Sequence, residues 1–248
     1  MKTLLEKHRS IRKFRSEPIA PEVLQDMLEA ASRASTCGNM QLYSLIVTQS
    51  RELREALAPC HFNQPMVTQA PCVITVCADV HRFSMWCEQR DAEPCYDNFA
   101  WFLNGVTDAL LAAQNLCVEA EAHGLGICYL GTTIYTAEEI ARILDLPKGV
   151  IPVTTIVVGH PDESPELTDR LPLEAVVHYE KYTDYTAAEI DELWAEREES
   201  ELTKRLLEEN GLPNLAQIFT QRRYVREDNL SISNSYFALL KEKGFFNN

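Results

Sequence analysis

Apolar residues recur along this chain with two different periods. In PEVLQDMLEAASRA, Leu24, Met27, Leu28 and Ala31 fall three and four residues apart, on one face of a helix that Pro21 opens at its first turn. YSLIVT (43–48) has the β-branched character of a strand and RELREALAP that of a short charged helix. PCVITVCA (71–78) reads as a strand apolar on both faces and so central in its sheet. The longest helical pattern runs from about Asn98 to His123. Its face carries Val106, Ala109, Leu110, Ala113, Leu116, Cys117 and Ala120, and Gly124 is placed to cap it. LGICYLG and VTTIVVG add two strands with the helix AEEIARILDL between them, and WCEQRDAEPCYDN reads as an irregular excursion. A sheet of at least four strands flanked by helices follows, of α+β or α/β class, with mixed strand pairing.

Beyond His160 the pattern changes. PDESPELTDRLP is a Pro-rich loop, and 187–209 reads as one acidic helix whose nine Asp/Glu against three Lys/Arg suit a solvated face. SNSYFALLKEKGFF predicts a last short helix stopped at Gly244. No self-sufficient core is visible there. The expected organisation of these 248 residues is a core over 1–182 with a helical extension over 183–248, packed as an arm on something else, such as another subunit.

The composition, 46% apolar and 24% charged, is that of an ordinary globular chain. A formal net charge of −14 repels phosphate backbones and anionic lipid surfaces, so neither nucleic acid nor membrane is an expected partner. No secretory signal and no apolar run of about 20 residues is visible, which points to the cytoplasm. The eight cysteines form no CxxC pair, and several sit in apolar runs, which reads as reduced, buried thiols. Cys77, His81, Cys87 and Cys95 match no structural zinc spacing, so no metal is expected.

Against the acidic total, HRSIRKF gathers His8, Arg9, Ser10 and Arg12 near the front of the chain, with Ile11 and Phe14 as apolar anchors. A helix start with scattered salt bridges is one reading. A bound phosphate is the sharper one, since Arg and Ser supply charge-assisted hydrogen bonds to a dianion. RASTCGNMQ places Ser35, Thr36, Asn39 and Gln41 in one loop, and GLGICYLGTT ends a strand on Gly131 and Thr132, where backbone amides become free. Neither GxGxxG nor GxSxG is present.

With HRSIRKF, the opening as far as LEAASRASTCGNMQLYSLIV, then VCADVHRF, DALLAAQNLCVEAEAHGLGICYLGTT and VGHPDESPELTDRLPLEAVVHYEKY, the chain resembles the FMN-dependent nitroreductase family. Within it, the similarity is to the large oxygen-insensitive nitroreductases and NADPH–flavin oxidoreductases, densely over about 4–182. The resemblance implies a nitroreductase-like α+β fold, a homodimer whose C-terminal arm wraps the partner, and FMN as cofactor with NADPH or NADH as reductant. It implies ping-pong hydride transfer through the flavin to a nitroaromatic, quinone or flavin acceptor, with no catalytic acid or base from the protein. A flavin-storage protein or another superfamily reaction, such as reductive dehalogenation, is the alternative. By the same resemblance, His8, Arg9, Ser10 and Arg170 surround the FMN phosphate. Ile11 belongs to that segment, and Arg12 reaches the pyrimidine edge of the flavin. Ser35, Thr36, Asn39 and Gln41 border the ring, some of them from the second subunit, as do Gln64 and the backbone of Tyr129, Leu130, Gly131 and Thr132. Thr168 stands where relatives commonly carry a lysine.

Overall fold

Four strands form one sheet: β1 (Tyr43–Thr48), β2 (Cys72–Asp79), β3 (Gly126–Leu130) and β4 (Val150–Gly159), in the order β1-β2-β4-β3. Burial follows that order, since all of β2 and all of β4 except Val153 are buried, as befits the two central strands. The expected mixed pairing is corrected. Every strand pair in the sheet is antiparallel. The helical crossover does carry β3 back in the direction of β2, but β4 inserts between them and pairs antiparallel with both. Parallel pairing survives in an isolated bridge, Ser10 to Ile127.

The computed structural model describes residues 2–247. They fall into two compact units, Met1–Glu166 with Ile232–Asn248, and Leu167–Ser231. The first holds the sheet and the helices α1 (Lys2–Glu6), α2 (Pro21–Ser32), α3 (Arg51–Leu57), α4 (Pro65–Gln69), α5 (His81–Glu88), α6 (Phe99–Ala122) and α7 (Ala137–Ile143). Asn98 caps α6 by accepting the Trp101 N–H at 3.3 Å, and Gly124 follows at φ 76°. The small residues Ala109, Ala112, Ala113 and Ala120 let α6 and α2 close over one face of the sheet, on Ile74, Val76, Ile127, Ile156 and Val158. On the other face Val73, Val157, Cys128 and Leu130 pack with Ile11, Phe14, Met66, Val67 and Ala70. Each Leu, Ile or Val buried in this way contributes about 1.5–3 kcal/mol.

Three expectations change. The excursion after residue 85 begins as helix, since α5 reaches Glu88. The single acidic helix is two, α8 (Ala187–Glu199) and α9 (Glu201–Asn210), broken at Ser200, whose extended backbone (ψ 148°) lets its hydroxyl cap Thr203 N–H. With α10 (Leu215–Ile218) these lie in the second unit, where Thr203, Leu215 and Ile218 are buried. The last helix, α11 (Arg226–Glu242), is not short, and it ends in the first unit's own core. There Leu239, Leu240 and Phe245 pack with Leu42, Ala78, Phe102 and Ile151. Among the described residues, no helix is long and apolar enough to cross a membrane.

Candidate functional site

The basic N-terminal stretch lies along β3 because its two apolar anchors are drawn into the core. Ile11 and Phe14 are both 7% exposed. The Ile11 N–H donates to Ile127 O at 2.9 Å, and Arg15 N–H to His160 O at 2.9 Å. Gly126 makes this approach possible, since a Cβ there would stand 2.6–2.9 Å from three Ile11 carbons. The polar residues just before and between the anchors gather at the start of β3. His8 Nδ1 lies 2.6 Å from Glu121 Oε1, and the Ser10 hydroxyl reaches the Cys128 thiol, which burial pushes up and the Arg12 charge pulls back. Arg12 and Lys13 both donate backbone N–H to Glu163 Oε1, at 2.5 and 3.1 Å, and the Arg12 side chain stays exposed. A cavity of about 270 Å³ opens here, lined by Lys7, Arg9, Glu121, Gly126, Glu163 and Ser164 among others. At its wall Arg9 spends Nη1 on the Lys7 carbonyl at 3.3 Å, while its buried Nε has no partner among the described residues.

At its far end β3 runs through Tyr129 and Leu130 into the turn Gly131–Tyr135. That turn docks on another, Ala58–His61. His61 Nδ1 lies 2.8 Å from Thr132 Oγ1, Thr136 Oγ1 donates to Cys60 O at 2.7 Å, and the Phe62 and Tyr135 rings meet with centroids 6.2 Å apart. Phe62 and Asn63 follow in the left-handed region, at φ 55° and 53°, and turn the chain to Gln64, which starts α4. His61, Gln64 and Thr132 are thereby brought to one end of β3. Ile11 and Leu130 contribute side chains to the core, so only their backbone can face a ligand. Gly131 is exposed, and among the described residues no heavy atom lies within 4 Å of where a Cβ would stand.

The loop Ser35–Gln41 lies elsewhere. The buried Asp108 carboxylate on α6 accepts Cys37 N–H at 2.9 Å and Leu42 N–H at 3.0 Å. The Arg82 guanidinium donates to the Gln41 carbonyl. Gly38, Asn39 and Gln41 all take left-handed φ, near 55°, a geometry costly for the two non-glycines and held by those contacts. Helix α6 measures the separation: Asp108 holds this loop and Glu121 holds His8. The thirteen residues between them (121 less 108) amount to roughly 20 Å along one axis. Thr168 and Arg170 lie in the second unit, both exposed, with Arg170 Nη1 donating to the carbonyls of Thr168 (3.2 Å) and Asp169 (2.9 Å).

Six cysteines are buried, and burial pushes the thiols of Cys72, Cys77 and Cys117 up to about 12, so they stay protonated and unreactive near neutrality. Cys37 and Cys95 are exposed. Asp108, His61, Glu121, Glu163 and Gly126 escaped the reading of the sequence. Of these, Asp108 alone left a trace, as a single acid within the apolar stretch GVTDALLAAQ.

Residues 5–160 match the family described as the nitroreductase family. An NADPH-dependent oxidoreductase of Staphylococcus aureus (strain USA300) is 35% identical over 183 residues, 72% of either chain. Among solved structures, an oxidoreductase of Bacteroides fragilis NCTC 9343 is 47% identical with a TM-score of 0.97, over 99% of this chain and 100% of that one. The NfrA1 nitroreductase of Bacillus subtilis is 28% identical with a TM-score of 0.82, over 100% and 99%. The NADPH:FMN oxidoreductase of Vibrio harveyi, solved with NAD+, is 27% identical with a TM-score of 0.82, over the same shares.

Proposed function

The chain belongs to the nitroreductase family and is an NAD(P)H-dependent flavin oxidoreductase, and from that premise we propose that FMN lies along β3 and serves the reduction of flat acceptors such as nitroaromatics, quinones or free flavins. The observation that carries this is the gathering of His8, Arg9, Ser10 and Arg12 at one end of β3 and of Gln64, Gly131 and Thr132 at the other. Arg9 Nε fits a phosphate: it is buried without a partner, and an unmet buried donor is costly unless a ligand takes it. When bound, FMN supplies the centre that takes hydride from NAD(P)H and passes reducing equivalents on.

The protein's part is to bind, orient and tune. His8, Arg9 and Ser10 hold the phosphate end. The Arg12 cation stands at the pyrimidine edge and favours negative charge there. The Gly131–Thr132 backbone offers N–H groups to the ring, and Gly131 has no side chain to crowd it. The outer face of α6 exposes Phe99, Leu103, Leu110 and Leu111, an apolar surface suited to a second copy of the chain. A site shared between two copies accounts for the 20 Å that part Ser35–Gln41 from His8–Arg12. In that arrangement the loop of one copy serves the β3 edge of the other.

The test is chromatography of the acid-released cofactor, then stopped-flow reduction of the bound flavin with NADPH and with NADH and reoxidation by an acceptor panel. FMN, fast reduction and acceptor turnover are expected. FAD would overturn the site, and a bound flavin that no nicotinamide reduces would leave a storage protein.

A further inference from the structure

His61 lies at the Thr132 end of β3 and holds no role in the function proposed above, yet its environment is specific. The imidazole is fully buried, Nδ1 meets Thr132 Oγ1, and Nε2 has no partner among the described residues. Burial lowers its pKa to about 4, so the ring is neutral near pH 7 and carries one N–H. A single hydrogen therefore lies between Nδ1 and Thr132 Oγ1. If Nε2 carries the ring proton, a buried N–H is left without an acceptor and the Thr132 hydroxyl gives its hydrogen to the ring. If Nδ1 carries it, only a lone pair is left unmet, the commoner condition in protein interiors.

We propose that His61 is a positioning residue for the flavin reaction. As the Nδ1–H tautomer it donates to Thr132 Oγ1, fixes that side chain, and leaves the hydroxyl's own hydrogen free to donate to the bound cofactor. The inference rests on the reading above that Gly131–Thr132 border FMN. Two observations about this chain carry it. No other hydrogen-bond partner of Thr132 Oγ1 is found among the described residues. The turn bearing His61 is locked to the turn bearing Thr132 at a second point, Thr136 to Cys60, so the pair cannot drift apart.

The experiment joins a spectroscopic readout to FMN binding. In the ¹⁵N-resolved imidazole spectrum of the wild-type protein, His61 should show the Nδ1–H tautomer, and the Nε2–H signature would overturn the proposal. FMN affinity is then measured by flavin fluorescence on reconstituted apoprotein. Thr132→Val should bind FMN about five-fold more weakly, the loss of one hydrogen bond. His61→Leu should lose the same factor, and the double variant no more than either single one, because both remove one device. His61→Asn, whose amide can donate where Nδ1 did, should restore binding to within about two-fold. If His61→Leu fails to fold, the tautomer signature, Thr132→Val and His61→Asn still decide the matter. Wild-type FMN affinity in His61→Leu, or additive losses in the double variant, would refute this inference alone. A wild-type protein that takes up no FMN would refute the flavin reading with it.

Discussion

Gly126→Ala tests the claim that the basic stretch is seated on β3 by close packing. The added Cβ would lie 2.6 Å from Ile11 Cγ1, 2.7 Å from Cβ and 2.9 Å from Cγ2. Contact needs about 3.5–4 Å, so Ile11 must retreat by roughly 1 Å. The branch point of Ile11 is itself in contact, so a rotamer change does not relieve the clash. The segment has to lift off β3, which strains the Ile11–Ile127 hydrogen bond and moves Arg9 and Ser10 with it. Overpacking of this kind costs roughly 1–3 kcal/mol, and for a chain of this size that lowers Tm by roughly 2–12 °C. FMN affinity should fall by about ten-fold or more, since displacements near 1 Å in a positioned site are that costly.

The control is Gly244→Ala, where φ is 91° and, among the described residues, Asn247 Nδ2 at 3.8 Å is the one atom near a new Cβ. It should lose about 1–2 kcal/mol through backbone strain and keep its FMN. Calorimetry and flavin titration on both variants read the outcome. A Gly126→Ala protein with wild-type Tm and FMN affinity would show that Ile11 does not seat the segment, and an equal FMN loss in Gly244→Ala would show that general destabilisation was the cause.

Two further outcomes are expected. His61 is neutral when folded down to about pH 4, whereas an unfolded chain protonates it near 6.5, so its contribution is complete above 6.5 and is lost as pH falls toward 4. The stability advantage of wild type over His61→Asn should shrink by up to about 3 kcal/mol between pH 7 and pH 4 in urea titrations, and a constant difference would contradict the burial. Arg12→Ala should bind FMN more weakly and lower the flavin midpoint potential, because a cation is removed from where reduction places charge, and an unchanged midpoint in a spectroelectrochemical titration would remove Arg12 from the flavin edge.

Much of the first unit could be read from local pattern. β1 begins and ends as the apolar run does, and α6 falls within the bounds Asn98 to His123 that the sequence suggests. What could not be read depends on partners distant in the chain. His61 and Thr132 are 71 residues apart, as are Cys37 and Asp108, and Arg12 and Glu163 are 151 apart. No periodicity records such pairs. The antiparallel pairing of β4 escaped for the same reason, since its neighbours are chosen by sheet topology and both candidates are equally apolar. The tail misled for a different one. Leu239, Leu240 and Phe245 lie in a stretch that reads as a last short helix, but after a solvated acidic run nothing local marks its return to the core.

The separation along α6 gives the proposed two-copy site a direct test. Within one copy, the residues tied to Asp108 and those tied to Glu121 are held roughly 20 Å apart on a rigid rod, so in the proposed arrangement they serve one flavin from different copies. Consider Arg12→Ala, which damages the β3 side. Consider also Asp108→Asn, which sets an amide N–H against the Cys37 or Leu42 N–H and loosens the loop. Each homodimer should be impaired. In a mixed dimer of the two, a shared arrangement gives one site both lesions and leaves the other with an intact β3 edge from one copy and an intact loop from the other. After random subunit exchange half the dimers are mixed, so about one quarter of all sites in the mixture, and about one half of those in re-purified mixed dimers, should recover wild-type reduction rates. If each copy builds its own site, every site in the mixture carries one lesion and nothing recovers. Stopped-flow amplitudes on tagged, re-purified mixed dimers separate the two results. A mixture no faster than the average of its parents would end the shared-site reading while leaving FMN on β3 intact.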